Sequence, residues 1–317
     1  MKIYIGDHLG EHKTTRELEK WLTSKGHEVH WDVYYENVKG PDSRSWIEWA
    51  DIVFFEWCEG MVNLCLKDGW AKKKPIYCRA MDIEIWAGQA EAEDLNGLTG
   101  LAYTSKAYYK VLEDGWKRLG KKYSFPKTHI PLSIDMSEWT YKERTPQYNV
   151  AVIGHMWDSK NPSLIPHFVH YLINRTKNKE WKFYIQGYWR HDVWRWYYEY
   201  MKHIIVEMGL QNNIFLSEDR IDSLDTWLED KSYLVTFSMK DAFSLIVGEA
   251  MAKGVKALPH NFIGAKDIWG KYVWTTFDEL ARKMVDDDYN SKEYYQFVRD
   301  NYSNEKIMPI WENFLNI

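Results

Sequence analysis

The sequence lacks the features that mark a membrane-spanning or secreted protein. It has no uninterrupted run of about 18 apolar residues, the length that a spanning helix needs. Residues 1–5 are typical of a β-strand rather than of the apolar core of a signal peptide. The three cysteines, Cys58, Cys65 and Cys78, form no C-x-x-C pair and no obvious disulfide framework. Together these absences predict a protein of the reducing cytoplasm.

Motifs of common cofactor and metal sites are absent as well. The first predicted strand is followed by Gly6-Asp7-His8-Leu9-Gly10, which is not the G-x-G-x-x-G motif of dinucleotide-binding folds, and no Walker A sequence occurs. The eleven histidines show no H-E-x-x-H or similar metal spacing. Residues 286–288 are three aspartates that follow a helical pattern, which is typical of an acidic segment at the C-terminal end of a helix. We therefore expect neither a nicotinamide cofactor nor a bound metal ion.

The charge and the aromatic content exclude one class of function and leave others open. The formal net charge of −5 argues against a general nucleic-acid-binding protein. Basic residues nevertheless cluster at 72–74 and 117–127, where they are either solvated helix ends or a patch for an anionic acceptor or a membrane surface. The aromatic share of 16% predicts a well-packed core, with a carbohydrate platform as the alternative.

The length of 317 residues favours two domains. In both halves, short apolar strands such as Ile52–Phe55 and Asn149–Ile153 alternate with helical patterns, which predicts parallel sheets with helices on both faces. The polar segment 141–147, which contains Pro146, is typical of a linker, so we predict domains at 1–146 and 147–300. A C-terminal helix in 301–317 is predicted to pack back on the first domain. The helices predicted in the second half are 162–174, 193–208, 223–229 and 244–252.

Two acids in the second half, Asp241 and Glu249, stand eight positions apart. Phe243-Ser244-Leu245 lies between them, and a helix pattern follows until a glycine closes it. This layout predicts a loop that enters a helix, with one acid before the helix and one inside it. A helix N-terminus presents free N–H groups and partial positive charge, which suit phosphate, and nearby acids can bind hydroxyls. Phosphate and hydroxyls together describe a nucleotide sugar.

A second strand-to-helix junction precedes this one. The strand Asn149–Ile153 ends at Gly154, a loop carries His155 and Lys160, and Pro162 suits the first turn of a helix. A lysine at such a junction can hold a phosphate as a point charge. The alternative is a solvated loop lysine beside a structural histidine.

In order and spacing, these segments resemble the retaining glycosyltransferases of family 4, which have the two-domain GT-B fold. Gly154, His155 and Lys160 stand in the family's glycine, arginine and lysine register, with histidine in place of arginine. Residues 209–216 match its G-L-x-x-N-hydrophobic turn. The segment from Asp241 to Glu249 matches its E-x₇-E motif, with aspartate as the first acid. The resemblance covers nearly all of 149–317 and is weaker over 1–146.

The resemblance implies an α/β protein of GT-B architecture, with two Rossmann-like doubly wound domains facing a cleft and the donor bound mainly by the second domain. Glu249 would bind the ribose hydroxyls, and Asp241 would bind hydroxyls of the transferred sugar. Lys160, helped by His155, would neutralise the departing diphosphate. These implied catalytic residues, Lys160, Asp241 and Glu249, are joined by a donor-binding set of His155, Gly154, Phe243, Ser244, Leu245 and Gly10.

Further roles follow from the same resemblance. The nucleotide base would lie near Glu218, Arg220 and Ile221. On the first domain, Asp82 and Glu84 occupy a loop where the family often has a histidine. These two acids either contact the acceptor or are structural.

The resulting hypothesis is a metal-independent, retaining glycosyltransferase that uses a UDP- or GDP-sugar and needs no cofactor. Its acceptor is unknown, and peripheral membrane contact is one possibility. The alternatives are a non-catalytic GT-B-like protein that binds a nucleotide sugar or a glycan, and a transferase acting on an anionic acceptor, either lipid-linked or a nucleic acid.

Overall fold

The computed structural model describes residues 1–8, 13–34, 41–71, 74–189 and 191–317. The chain divides into two compact units. Unit 1 comprises Met1–Ser133 together with Tyr302–Ile317, and unit 2 comprises Ile134–Asn301. Each unit contains one sheet whose strand pairs are parallel, with helices between successive strands. The predicted α/β class with two doubly wound domains is confirmed.

Strands and helices alternate along almost the whole chain. The strands are β1 (Lys2–His8), β2 (Glu28–Tyr34), β3 (Ile52–Phe55), β4 (Ile76–Ala80), β5 (Gly100–Tyr103), β6 (Lys127–His129), β7 (Asn149–Ile153), β8 (Lys182–Gln186), β9 (Ile214–Ser217), β10 (Tyr233–Val235) and β11 (Lys256–Leu258). The helices are α1 (Lys13–Ser24), α2 (Pro41–Trp49), α3 (Gly60–Asp68), α4 (Ile83–Trp86), α5 (Gln89–Ala92), α6 (Lys106–Arg118), α7 (Leu164–Thr176), α8 (His191–Glu207), α9 (Leu224–Trp227), α10 (Leu245–Ala252), α11 (Ala265–Trp269), α12 (Phe277–Val285), α13 (Ser291–Tyr302) and α14 (Asn304–Leu315).

The sheet of unit 1 has the strand order β2-β1-β3-β4-β5-β6. Its central strand β3 consists of Ile-Val-Phe-Phe, and all four side chains are buried. A strand that is apolar on both faces suits the middle of a parallel sheet, because helices cover both of its sides. The core of this unit therefore forms on two faces.

Helix α14 belongs to the core of unit 1 although it comes last in the chain. Its residues Ile307, Met308 and Trp311 lie in the same buried cluster as Ile3 and Phe54 from the central strands. The ring of Trp311 packs edge-on against that of Phe54, with 5.1 Å between the centroids. Residues from both ends of the chain thus complete one hydrophobic core.

The sheet of unit 2 has the order β11-β10-β7-β8-β9. Aromatic rings fill its core: Phe168 packs against Phe183, Phe237 and Trp274 at centroid distances of 6.0, 6.1 and 6.5 Å. Across the described chain, the largest fully buried side chains are all Trp, Tyr or Phe. Core packing, the first of the two explanations for the high aromatic content, therefore accounts for many of these rings.

Residues 141–147, predicted as a linker, are bound to unit 2. The Arg144 guanidinium donates to the carbonyl oxygens of Glu229 (2.8 Å), Lys231 (3.1 Å) and Lys253 (3.3 Å). The backbone N–H of Gln147 donates to Ser232 Oγ at 2.7 Å. These bonds hold the segment to unit 2, which begins at Ile134. The domain boundary at 146 stays a prediction.

Candidate functional site

Two glycines end the central strands of the unit 2 sheet. Gly154 follows β7, Gly187 follows β8, and the N–H of Gly154 donates to the carbonyl of Gln186 at 3.2 Å. A Cβ atom at Gly187 would lie 1.7 Å from the carbonyl oxygen of Gly154, so this position requires glycine. The close approach of the two backbones shapes the carboxyl edge of the sheet, where ligands of such folds bind.

Lys160 and Asp241 come together at this edge, although 81 positions separate them. Lys160 ends a 3₁₀ turn that begins at Asp158, and the N–H of Met239 donates to the carbonyl of Ser159 at 2.8 Å. That backbone bond joins the two loops and places the Lys160 ammonium 2.8 Å from Asp241 Oδ2. The side chains are 32% and 16% exposed, so the pair is accessible from solvent.

The other oxygen of the Asp241 carboxylate caps the entry to α10. Asp241 Oδ1 accepts from the N–H of Ser244 at 2.8 Å and more weakly from that of Phe243 at 3.4 Å. Ser244 has the left-handed φ of +69°, which is uncommon for a residue other than glycine and marks a sharp change of direction before the helix. Backbone N–H groups and an ammonium therefore converge on one anionic group, as they would on a phosphate.

Glu249 is the fifth residue of α10 and lies one turn after Leu245, on the same side of the helix. It is buried, with 7% of its surface exposed. A buried hydrogen bond holds the segment before the helix in place. Trp269 Nε1 donates to the carbonyl of Phe243 at 2.8 Å. This bond fixes the peptide that presents the N–H groups to the Asp241 carboxylate.

A cavity of about 560 Å³ opens where β9 ends. It is lined by Gln186, Ser217, Asp219, Arg220, Ile221, Asp222, Ser223, Thr226 and Trp227. Arg220 and Ile221, which were predicted to lie near the nucleotide base, line this cavity together with Gln186 and Trp227, which the sequence analysis did not single out. The cap Ser223, whose Oγ accepts from the N–H of Thr226 at 3.2 Å, was the available signal for the short helix that carries Trp227.

Glu218, also predicted in this region, is not among the lining residues of the cavity. Its carboxylate accepts from the N–H of Trp189 at 3.3 Å and lies 2.9 Å from His191 Nε2. These contacts tie the loop after β9 to the start of α8. Glu218 therefore supports the neighbouring backbone in this structure.

His155 lies exposed in the loop after β7. Its ring stacks on that of Trp157 with 4.9 Å between centroids and meets the Tyr188 ring edge-on at 6.4 Å. The imidazole is thus oriented by aromatic neighbours at the same edge as the Lys160 loop. Gly10, which was predicted to approach the donor, lies outside the described residues.

The two acids proposed for acceptor contact, Asp82 and Glu84, lie in unit 1. Asp82 precedes α4, and Glu84 is only 1% exposed. The Glu84 carboxylate accepts from the N–H groups of Met81 at 2.6 Å and Asp82 at 3.1 Å. Burial raises the pKa of Glu84 to about 8, above its ordinary value. Two roles were considered for Glu84, acceptor contact and a structural role, and these contacts fit the structural role.

Glu84 should make unit 1 less stable as the pH rises. Its folded pKa of about 8 exceeds the ordinary value of 4.5, so the stabilisation is fully present below pH 4.5 and is lost as the pH rises through 8. Each pKa unit corresponds to about 1.4 kcal/mol. We expect Glu84→Gln, measured by denaturant unfolding between pH 5 and 8, to show a much flatter stability profile than the wild type. Exposed Glu305 provides the control: Glu305→Gln should keep the wild-type slope. Equal slopes for Glu84→Gln and the wild type would contradict the assignment.

Four cations of the 117–127 run, Lys117, Arg118, Lys121 and Lys127, have partners inside unit 1. Lys117 pairs with Glu113 at 2.9 Å, and Arg118 pairs with Glu91 at 2.8 Å. The Lys121 ammonium donates to three consecutive carbonyl oxygens that begin at Glu91. This geometry resembles solvated and capped helix ends more than an open patch for anions. In the 72–74 run, residues 72 and 73 lie outside the described ranges.

Among the described residues, every helix is too short or too polar to cross a lipid bilayer. No protein-family model matches the chain, and no curated protein matches its sequence.

Several solved structures share the fold of this chain along its full length. HepE of Anabaena, solved with UDP and glucose, superposes with a TM-score of 0.76 at 12% identity, covering 100% of this chain and 99% of HepE. Sucrose-phosphate synthase of Thermosynechococcus elongatus gives a TM-score of 0.70 at 13% identity, with 100% and 98% covered. The lipopolysaccharide outer core galactosyltransferase WaaB gives 0.68 at 14% identity, with 100% and 99% covered. The chain therefore has a GT-B architecture.

Proposed function

We propose that this chain is a glycosyltransferase that transfers a sugar from a nucleoside-diphosphate sugar. The observation that carries the proposal is the convergence of Lys160 and the N–H groups of Phe243 and Ser244 on one anion position, in the same unit as the cavity after β9. The GT-B architecture supports it, and HepE, an example of that fold, was solved with UDP-glucose.

In this proposal, unit 2 holds the donor. The cavity after β9 accommodates the nucleotide base beside Arg220 and Ile221, since its volume of about 560 Å³ suits a small organic group. Glu249 binds the ribose hydroxyls from the second turn of α10. The diphosphate lies at the start of that helix, where N–H groups and the helix dipole favour negative charge.

The chemistry requires charge stabilisation on the leaving group. As the bond between the sugar and the phosphate breaks, negative charge grows on the diphosphate and positive charge on the sugar. Lys160 and the N–H groups at α10 offset the first of these, each contributing about 3 kcal/mol when well placed. We further propose that configuration is retained: the acceptor attacks from the leaving-group side, and the diphosphate takes its proton. Asp241 binds the sugar hydroxyls.

A thermal-shift panel tests donor binding and base choice. UDP is the first candidate because HepE was solved with it. A ligand that binds only the native state stabilises it by about 2.7 kcal/mol at a hundredfold excess over its Kd, so the correct nucleotide should raise the Tm by several degrees. Among UDP, GDP and ADP, we expect UDP to give the largest shift. Uridine without phosphate should give little. A panel in which no nucleoside diphosphate raises the Tm would refute the proposal.

Consumption of the donor separates a transferase from a protein that only binds nucleotide sugars. Release of UDP from UDP-sugars, followed across glycan, lipid-linked and protein acceptors, should show turnover in the wild type. Because the proposal assigns the leaving-group charge to Lys160 and backbone N–H groups, EDTA should leave that turnover unchanged. Tight UDP binding with no sugar transfer to any acceptor would instead favour the non-catalytic alternative. A cytoplasmic location stays a prediction from the cysteine content.

A further inference from the structure

A second cavity, of about 450 Å³, lies at the opposite end of the unit 2 sheet. The strands of this sheet run parallel, and the cavity surrounds Lys256 at the amino end of β11, whereas the candidate donor cavity follows the carboxyl end of β9. It is lined by Lys256, Leu258, Lys271, Tyr272, Lys283, Asp286, Asp287, Asp288, Glu293 and Tyr294. Nothing in the proposed transfer reaction uses these residues.

Two lysines of this cavity are buried, which is unusual for an ammonium group. Lys256 is 4% exposed and Lys283 is 8% exposed. Lys256 Nζ donates to the carbonyl oxygens of Asp287 and Asp288, both at 3.2 Å. An ammonium has three donors, so these bonds leave one N–H of Lys256 for a group in the cavity. Lys283 Nζ donates to the carbonyl of Lys271 and lies 3.7 Å from a Glu279 oxygen.

Three of the four acidic side chains that line the cavity pair with a cation. The pairs are Asp286 with Arg175 at 2.9 Å, Asp287 with Arg282 at 2.8 Å and Glu293 with Lys271 at 2.5 Å. Glu293 also accepts from the Tyr272 hydroxyl at 2.8 Å. Asp288 is exposed, and its backbone carbonyl oxygen accepts a hydrogen bond from Lys256. Of the charged residues that line the cavity, the two that are buried, Lys256 and Lys283, are both cationic.

We propose that this cavity is a binding site for a phosphate monoester, with the phosphate between Lys256 and Lys283. Ammonium groups bind phosphate as point charges, and two of them suit a dianion. The volume exceeds what a phosphate alone would fill, and Tyr272, Tyr294 and Leu258 offer apolar surface to the organic part of the ligand. Since the site lies at the other end of the sheet, it is independent of the donor site.

The charge state of Lys256 gives the site a pH signature. Burial lowers the pKa of Lys256 to about 8, although Asp287, Asp288 and Glu293 act in the opposite direction and the neighbouring Lys283 lowers it further. The ammonium that attracts phosphate is therefore lost as the pH rises through 8. A bound dianion favours the protonated form, so phosphate affinity should fall between pH 7 and 9 and proton uptake should accompany binding.

Isothermal titration calorimetry with glycerol 1-phosphate and with inorganic phosphate tests the site. We expect both to bind the wild type, and Lys256→Gln and Lys283→Gln, which keep an N–H donor without the charge, each to weaken binding at least tenfold. Lys292→Gln, at an exposed lysine of α13, is the matched control and should bind as the wild type does. Lys160→Met should also bind normally, because that lysine lies at the donor edge. Acetate in place of phosphate should bind much more weakly.

Amine labelling of the wild type tests the same site without any substitution. Acetylation of Lys256, followed by mass spectrometry, should slow several-fold in the presence of glycerol 1-phosphate, while Lys292 labels at an unchanged rate. The proposal is overturned by the absence of phosphate binding in the wild type, by equal affinity in Lys256→Gln, or by Lys256 labelling that phosphate does not slow. If only Lys160→Met lost phosphate binding, the phosphate would belong to the donor site, and the proposal of a second site would be rejected.

Discussion

Lys160→Met should lower turnover by about 100- to 1,000-fold, the usual loss when one preorganised donor to a developing negative charge is removed. In the structure the Lys160 ammonium lies 2.8 Å from the Asp241 carboxylate and is one-third exposed, so a donor phosphate can reach it from solvent. The loss should fall mainly on kcat, since the charge on the diphosphate grows as the sugar–phosphate bond breaks. Initial rates of UDP release, compared with the wild type, measure the effect.

Two further variants sharpen this test. Lys160→Arg, which keeps a cation with different geometry, should recover part of the rate. Lys182→Met removes the same charge from an exposed residue at the amino end of β8, far along the strand from the loop that carries Lys160, and should leave the rate unchanged. Wild-type turnover in Lys160→Met, with donor and acceptor both saturating, would show that the leaving group is stabilised elsewhere.

Asp241→Asn should tighten the binding of UDP about tenfold while lowering turnover strongly. The Asp241 carboxylate accepts from the N–H of Ser244 at 2.8 Å and pairs with Lys160 at 2.8 Å, so it occupies with its own charge the position that we assign to the donor diphosphate. A neutral amide releases the lysine and removes the repulsion between two anions. A tenfold change corresponds to about 1.4 kcal/mol, close to the lower end of the range for a hydrogen bond to a charged group, about 1.5 kcal/mol.

The fall in turnover has a separate cause, because in our proposal the diphosphate displaces this carboxylate from Lys160, and the carboxylate then binds the sugar hydroxyls in the transition state. Calorimetry with UDP measures the first effect, and steady-state rates with the UDP-sugar measure the second. Asp300→Asn is the matched control: it also breaks an ion pair, with Arg299 at 2.9 Å, on exposed α13, and should change neither. If Asp241 served only to hold the loop, UDP binding and turnover would both weaken.

Local patterns in the sequence predicted the secondary structure well. The strand Ile52–Phe55 has the predicted bounds, and helix α10 begins one residue after the predicted start at 244. These elements are specified by short apolar runs and by helix periodicity, which act over a few neighbouring residues. Ser244 was predicted as the first residue of the helix. In the structure it precedes α10, because its left-handed backbone conformation turns the chain into the helix.

The contacts of the candidate site could not be predicted to the same extent. The order and spacing of the motifs placed Lys160 and Asp241 in the same predicted site. An ion pair between residues 81 positions apart, however, cannot be predicted from local sequence patterns. The 117–127 run shows the reverse case. Its clustered charges left open both solvated helix ends and an anion-binding patch, and Glu91, 27 positions from Arg118, pairs with Arg118 where α5 and α6 pack together. Long-range packing decides which charges face solvent.

The position of α14 has a consequence for the order in which the protein matures during synthesis. Unit 1 needs Trp311 and its neighbours to complete its core, and these residues leave the ribosome only after all of unit 2. Unit 2, at Ile134–Asn301, is continuous and can close its core first. Until α14 emerges, the apolar faces of Ile3 and Phe54 stay partly uncovered, so the unit whose synthesis begins first is the last to complete its hydrophobic core.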